Sequence, residues 1–239
     1  MIFMLKDYIT IVDHVHEEVP AVKTIRFRFP QGHDFSFKVG QYVMVHAAKD
    51  GSEEATPYSI SNLPSELEKT GCIELCVKHV EGGFASGYMH SLKKGGRVKI
   101  SGPLGRFFFA EPVENDMVFL ATGTGVSPLR SMVRRAFEIG TKKEIWLFFG
   151  AREEREIIWR EEFKWLAKNH PNFRYIPALS REQWAGETGY VQDVMKKKFS
   201  SYSGKDYYIA GVKPMVEEVM KLLQELGVPA ERIHTEKFV

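Results

Sequence analysis

Polar and apolar residues alternate along much of the first 110 positions. Ile25, Phe27 and Phe29 alternate with Arg26 and Arg28, and Ile73, Leu75 and Val77 repeat the pattern. A period of two is that of a strand with one face buried. Shorter strand-like runs occur at 8–12, 41–47, 57–61 and 97–101. Pro30, Gly32, Gly40, Gly51, Pro64, Gly71, Gly82, Gly83, Gly95 and Gly96 punctuate them. Short strands between turn residues, with no convincing helix, predict a small antiparallel barrel or sandwich.

The pattern changes near residue 112. Val118 to Ala121 is a short apolar run, as in a strand buried on both faces. Leu129, Met132, Val133, Ala136 and Phe137 then recur at helical spacing, and Gly140 supplies a stop. Ile145–Phe149, Phe173–Leu179, Tyr207–Ala210 and Ile233–Phe238 read as further strands. Phe163, Leu166 and Ala167 mark one more helix, and Val216, Val219, Met220 and Leu223 another, stopped at Gly227 and Pro229. Alternating strands and helices predict a parallel sheet with helices on both faces. The expected fold is therefore two-domain. An antiparallel β-barrel at 1–111 precedes an α/β parallel-sheet nucleotide-binding domain at 112–239, with 111–115 as the hinge.

Composition narrows the function. The 239 residues are 44% apolar and 27% charged, with a formal net charge of +2. So small a surplus speaks against a general nucleic-acid or acidic-lipid binder. Two cysteines, Cys72 and Cys76, are too few for a disulfide scaffold and fall short of the four thiolates of an iron–sulfur cluster. Their spacing puts both on one face of a strand, as small buried residues. Met1 to Ile9 does not read as a signal peptide, and no run is long enough to span a membrane, so the expected location is cytoplasmic.

Several loops carry chemistry. Thr122-Gly123-Thr124-Gly125-Val126-Ser127-Pro128 follows a buried strand and opens a helix. Its glycines allow close backbone approach, and the helix start offers free N–H groups to a phosphate. The second strand of this half ends in Gly150-Ala151-Arg152, and the third in Ser180-Arg181. Both arginines are expected beyond the carboxyl ends of the strands, where ligands of open α/β sheets bind. The competing reading of Arg152 is a salt bridge to Glu153 or Glu154. In the first half, Tyr58 and Ser59 set a ring beside a hydroxyl, which suits a planar heterocycle. Gly82-Gly83-Phe84-Ala85-Ser86 is an anion-friendly turn, or a plain hairpin loop. Gly102 to Phe109 is a turn followed by core aromatics.

In this order the motifs resemble those of the ferredoxin–NADP reductase family, from Val39-Gly40-Gln41-Tyr42 to Glu236-Lys237-Phe238. Thr56-Pro57-Tyr58-Ser59 resembles the family's Arg-x-Tyr-Ser flavin motif. The resemblance implies that Tyr58 packs on the isoalloxazine and that Ser59 hydrogen-bonds near its N5. Val77-Lys78-His79 and Phe84-Ala85-Ser86 resemble the segments that hold the rest of the flavin nucleotide. Thr122 to Pro128 resembles the pyridine-nucleotide loop. Ala210-Gly211-Val212-Lys213-Pro214-Met215 resembles the Cys-Gly-Pro-x-x-Met segment beside the nicotinamide. Two positions depart from the family. Thr56 stands where an Arg grips the flavin phosphate, with Lys78 a possible substitute, and Ala210 stands where the family has Cys.

The resemblance implies hydride transfer from NAD(P)H to FAD, or less readily FMN, with the nicotinamide reaching the flavin through the cleft between domains. Glu236 resembles the acidic residue near the nicotinamide, or is an exposed strand charge. Phe238 shields the flavin, or simply packs. Ser180-Arg181 followed by Tyr190 resembles the NADP-preferring pattern, so NADPH is expected over NADH. The expected acceptor is a separate ferredoxin or flavodoxin, with a cytochrome or free flavin as others. Two alternatives stand beside this reading: an NAD(P)H:flavin reductase with loosely held flavin, and a non-catalytic electron-transfer or regulatory subunit. The electron-transfer subunit of a pyrimidine-synthesis dehydrogenase is set aside, because no cysteine follows Cys76.

Overall fold

A computed structural model describes residues 6–49 and 51–238. Met1–Leu5 and Val239, which the reading of the N-terminus and of the domain limits included, lie outside the described residues. The chain divides into two compact units. The first runs through Phe108 and includes Arg130–Arg135; the second comprises Phe109–Leu129 and continues from Ala136.

The first unit is built on six antiparallel strands: β1 (Asp7–Val19), β2 (Val22–Arg28), β3 (Tyr42–Lys49), β4 (Ser52–Ser59), β5 (Cys72–Lys78) and β6 (Arg97–Leu104). Their order is β4-β3-β6-β1-β2-β5. The two edge strands meet where Ile60 bridges Leu75, which closes the sheet into a barrel. Ile25, Phe27, Val43, Val45, Ile73, Leu75, Val77 and Ile100 point inward and form its core.

Cys72 and Cys76 are both buried and unbonded to each other. They share the face of β5 opposite Ile73, Leu75 and Val77, as the two-residue period requires.

Two helices interrupt the strands where the alternation predicts none: α1 (Pro64–Thr70) and α2 (Phe84–Ser91). Each is too short to show a helical period. Their end signals are nonetheless present. Pro64 opens α1, the Glu66 side chain accepts the Leu63 N–H at 2.9 Å, and Gly71 closes the helix at φ 67°. The Gly82–Ser86 turn is accordingly a helix entry rather than a hairpin loop.

The second unit has a parallel sheet of β7 (Asp116–Thr122), β8 (Ile145–Ala151), β9 (Phe173–Leu179), β10 (Glu187–Thr188), β11 (Lys205–Val212) and β12 (Ile233–Phe238). The order is β10-β9-β8-β7-β11-β12. Its helices are α3 (Val126–Glu138), α4 (Arg160–Asn169), α5 (Val191–Lys198) and α6 (Lys213–Glu225). Val118 and Leu120 of β7 pack with Val194 of α5 and Val219 of α6. Met117, Phe119 and Ala121, on the other face, are buried as well, so the apolar run at 118–121 reflects two covered faces. The short α5 and β10 were not legible in the sequence. The Lys196-Lys197-Lys198 run masks the small buried stripe of Val191, Val194 and Met195.

The order reverses at β7. The chain leaves that strand toward β8 and later returns to its other side as β11. Such a switch point leaves a crevice at the carboxyl ends of the two central strands.

Candidate functional site

The crevice is shaped by glycine. The loop after β7 forms a single 3-10 turn, Gly123–Gly125, and runs directly into α3. A Cβ on Gly125 would lie 2.4 Å from the Ala210 carbonyl oxygen and 2.5 Å from Gly211 Cα. A Cβ on Gly211 would lie 2.3 Å from Thr122 Oγ1. The Thr122 hydroxyl also accepts the Val212 N–H at 3.3 Å. Gly125 thus lies against the Ala210–Gly211 backbone and Gly211 against Thr122, contacts that leave no room for a Cβ on either glycine. Ser127, in the first turn of α3, is 1% exposed, and its Oγ has no hydrogen-bond partner. A buried hydroxyl left unpaired costs about 1–3 kcal/mol. Beside the free N–H groups of a helix start, it forms a donor set suited to a phosphate-bearing nucleotide. Thr124 and Val126 complete this loop, with Val126 fully buried.

Pro214 sits in the first turn of α6, where its missing N–H is no loss, and Met215 is buried beneath it. Glu236 lies beside Ala210 in the β11–β12 register, and Phe238 beside Val212. Both are partly buried.

The ends of β8 and β9 bring the two arginine loops together. Ser180 N–H donates to Ala151 O, and Arg181 N–H to Arg152 O, each at 3.0 Å. Arg152 is paired with Glu156, not with Glu153 or Glu154. The 3-10 turn Glu154–Glu156 folds back, so Glu156 reaches Arg152 while Glu153 pairs Arg155 and Glu154 pairs Arg160. The Glu156 carboxylate holds the Arg152 guanidinium above its ordinary pKa, first by hydrogen bonding and then by charge. Arg181 is exposed and makes no side-chain hydrogen bond or ion pair to a described residue. Tyr190, at the start of α5, is 64% exposed.

In the barrel, Tyr58 and Ser59 lie at the end of β4 opposite Val43 and Tyr42. The Tyr58 ring is half-buried against the core. Burial pushes its hydroxyl up to about 12, and the Glu54 charge adds to the shift. Ser59 is buried, whereas Pro57 is exposed. Thr56 Oγ1 donates to Glu54 Oε1 at 2.8 Å, so its hydroxyl serves a carboxylate on its own strand.

Val77 points into the core, and its carbonyl accepts the His90 ring N–H at 3.0 Å. Lys78 and His79 are exposed, the latter edge-on to His90 at 5.1 Å. Gly87 N–H makes the first intrahelical bond of α2, to Gly83 O, which leaves the N–H groups of Phe84, Ala85 and Ser86 without helical partners. The Ser86 hydroxyl accepts the Val80 N–H at 3.1 Å and so braces the turn. These amide donors suit a flavin phosphate, and the half-buried Tyr58 ring suits its planar head.

Two family models cover the two units. The oxidoreductase FAD-binding domain matches residues 10–109, and the oxidoreductase NAD-binding domain matches residues 119–221. Ferredoxin–NADP reductase B of Sorangium cellulosum is 36% identical, over 92% of this chain and 92% of that protein. The chain belongs to the ferredoxin–NADP reductase family. It is an NAD(P)H-dependent flavoprotein reductase of that family, with an FAD-binding barrel and an NAD-binding α/β unit.

The phenol hydroxylase P5 protein of Acinetobacter pittii is 35% identical over 99% of this chain and 67% of its own length. Among solved structures, a cytochrome P450 reductase from Amycolatopsis superposes with a TM-score of 0.89 at 29% identity, over 98% of this chain and 70% of that one. Glu54 and Glu156, the partners of Thr56 and Arg152, are residues that the motifs did not single out. No residue-type signal distinguishes them, because each matters through a contact that only the folded chain creates. Among the described residues no helix is long and apolar enough to cross a membrane, and no group of three or more metal-binding side chains occurs.

Proposed function

We propose that this reductase draws its electrons from NADPH in preference to NADH, carries them on FAD, and delivers them to a separate protein acceptor such as a ferredoxin or flavodoxin. The observation that carries the coenzyme half is the glycine crevice at Gly125 and Gly211 with the unpaired, buried Ser127 hydroxyl beside it. The turn from Gly123 to Ser127 holds the coenzyme diphosphate through its amides other than that of Val126, which bonds the Gly123 and Thr124 carbonyls. Ser180 and the unpaired guanidinium of Arg181 receive the phosphate on the adenosine ribose. Gly211, Pro214 and Met215 border the nicotinamide, with Glu236 orienting its amide and Phe238 excluding water.

In the barrel, Tyr58 covers the flavin ring and Ser59 donates a hydrogen bond at its N5 edge. The amides of Phe84–Ser86, with Lys78 and His79, take the phosphates. FAD, when bound, would supply the hydride-accepting and electron-donating chemistry. The names of the Sorangium and Acinetobacter relatives support a partner protein as acceptor.

A second reading has one observation in its favour. Thr56 stands where the family motif has Arg, and its hydroxyl donates to Glu54, so this segment offers a carboxylate and no cation. A loosely held flavin that leaves reduced would follow. One preparation tests both. Protein that keeps a flavin spectrum through gel filtration, bleaches anaerobically with NADPH and reduces a ferredoxin or flavodoxin from a panel of acceptors supports the first. Colourless protein that turns over added FAD supports the second. Colourless protein that turns over neither FAD nor FMN sinks both. A kcat/KM favouring NADH by about tenfold (about 1.4 kcal/mol) overturns the coenzyme assignment.

A further inference from the structure

We propose that Glu156 limits the preference for NADPH by withholding Arg152 from the phosphate on the adenosine ribose. This rests on the reading that the coenzyme binds at the carboxyl ends of the second unit's sheet.

Three contacts tie Glu156 to Arg152. Its Oε2 accepts the Arg152 main-chain N–H at 3.1 Å and the Arg152 Nε–H at 3.1 Å. Its Oε1 accepts a terminal N–H of the same guanidinium. Both carboxylate oxygens therefore engage Arg152, in the two-pronged geometry that makes Arg–carboxylate pairs strong. The Arg152 side chain is 51% exposed, so it faces solvent where a ligand could reach it. Arg181 lies on the neighbouring loop, joined to Arg152 by a main-chain bond, yet has no such carboxylate. The other acids of this loop are engaged elsewhere: Glu153 pairs Arg155, Glu154 pairs Arg160, and Glu182 Oε2 accepts the Glu154 N–H at 2.7 Å.

The residue after the second strand of such a unit is where a ribose substituent is read. A phosphate arriving there competes with Glu156 for the guanidinium and is repelled by its charge. Both effects act against NADPH, and neither touches NADH. Glu156 is thus a positioning residue that acts through Arg152, and Arg181 alone supplies the unopposed cation.

Glu156→Gln keeps an oxygen for the Arg152 N–H and removes the charge. We expect kcat/KM for NADPH to rise about tenfold, with NADH unchanged within about twofold. Inhibition by 2′-phospho-AMP should tighten by a similar factor while inhibition by AMP does not, a binding readout that needs no turnover. Glu156→Asp, which keeps the charge, should restore the parent ratio. In an Arg152→Ala background, Glu156→Gln should produce no gain. Equal changes for both coenzymes, or a gain that persists without Arg152, overturn the proposal. A parent protein reduced by neither coenzyme instead overturns the reading on which it rests.

Discussion

Gly125 and Gly123 stand two positions apart and are glycine for different reasons. Gly125 has no room: the Ala210 carbonyl oxygen sits 2.4 Å from where a Cβ would be. Gly123 has open space but a φ of 54°, which costs a side-chain-bearing residue about 1–2 kcal/mol. Gly125→Ala must push two strand ends apart, so we expect a loss of about 3 kcal/mol, against about 1 kcal/mol for Gly123→Ala. Urea midpoints check this, and equal losses would contradict the packing account. The two-glycine motif was legible in the sequence. Which glycine is closed by neighbours and which is bent was not, because β11 comes near β7 only through folding across some 85 residues of chain.

Among the elements, β12 carries a titration. His234 stacks on Tyr208 of β11, with ring centroids 4.7 Å apart. Burial lowers its pKa from 6.5, more than the nearby Asp206 carboxylate raises it. The unfolded chain therefore takes up a proton near pH 6.5 that the folded chain refuses. Stability from this group is full above that pH, falls as pH drops through it, and levels off once the folded value is passed. His90 of α2 has the same sign, by burial against the Val77 carbonyl bond. His234→Gln should reduce the loss of stability between about pH 7.5 and about pH 5.5, read from urea midpoints. An unaltered slope would contradict it. Elements differed in how well they could be read. The long alternating strands and the 13-residue α3 and α6 were clear, since their burial repeats over several turns. The seven- and eight-residue α1 and α2 were not, since their ends carry most of the signal.

At the scale of the whole molecule, two units with separate cores should answer separate ligands. FAD is expected to slow hydrogen exchange in β4 and at the start of α2, and NADP+ at 123–127 and 180–181. Each ligand at a hundredfold excess over its Kd adds about 2.7 kcal/mol to the state that binds it. FAD protecting the 123–127 loop instead would overturn the assignment of the barrel. The division into a strand-rich first part and an alternating second part, and the order of the flavin and nucleotide motifs, could be read from the chain, because burial periodicity and turn residues are local properties. Three things were decided by tertiary structure alone: the switch point that brings Gly125 against Gly211, the orphaned Ser127 hydroxyl, and the pairing of Arg152 with Glu156 rather than its nearer neighbours. The physical reason is common to all three. Each depends on the direction of a side chain or the approach of a distant strand, and the energy of such contacts is set by ångströms rather than by residue type.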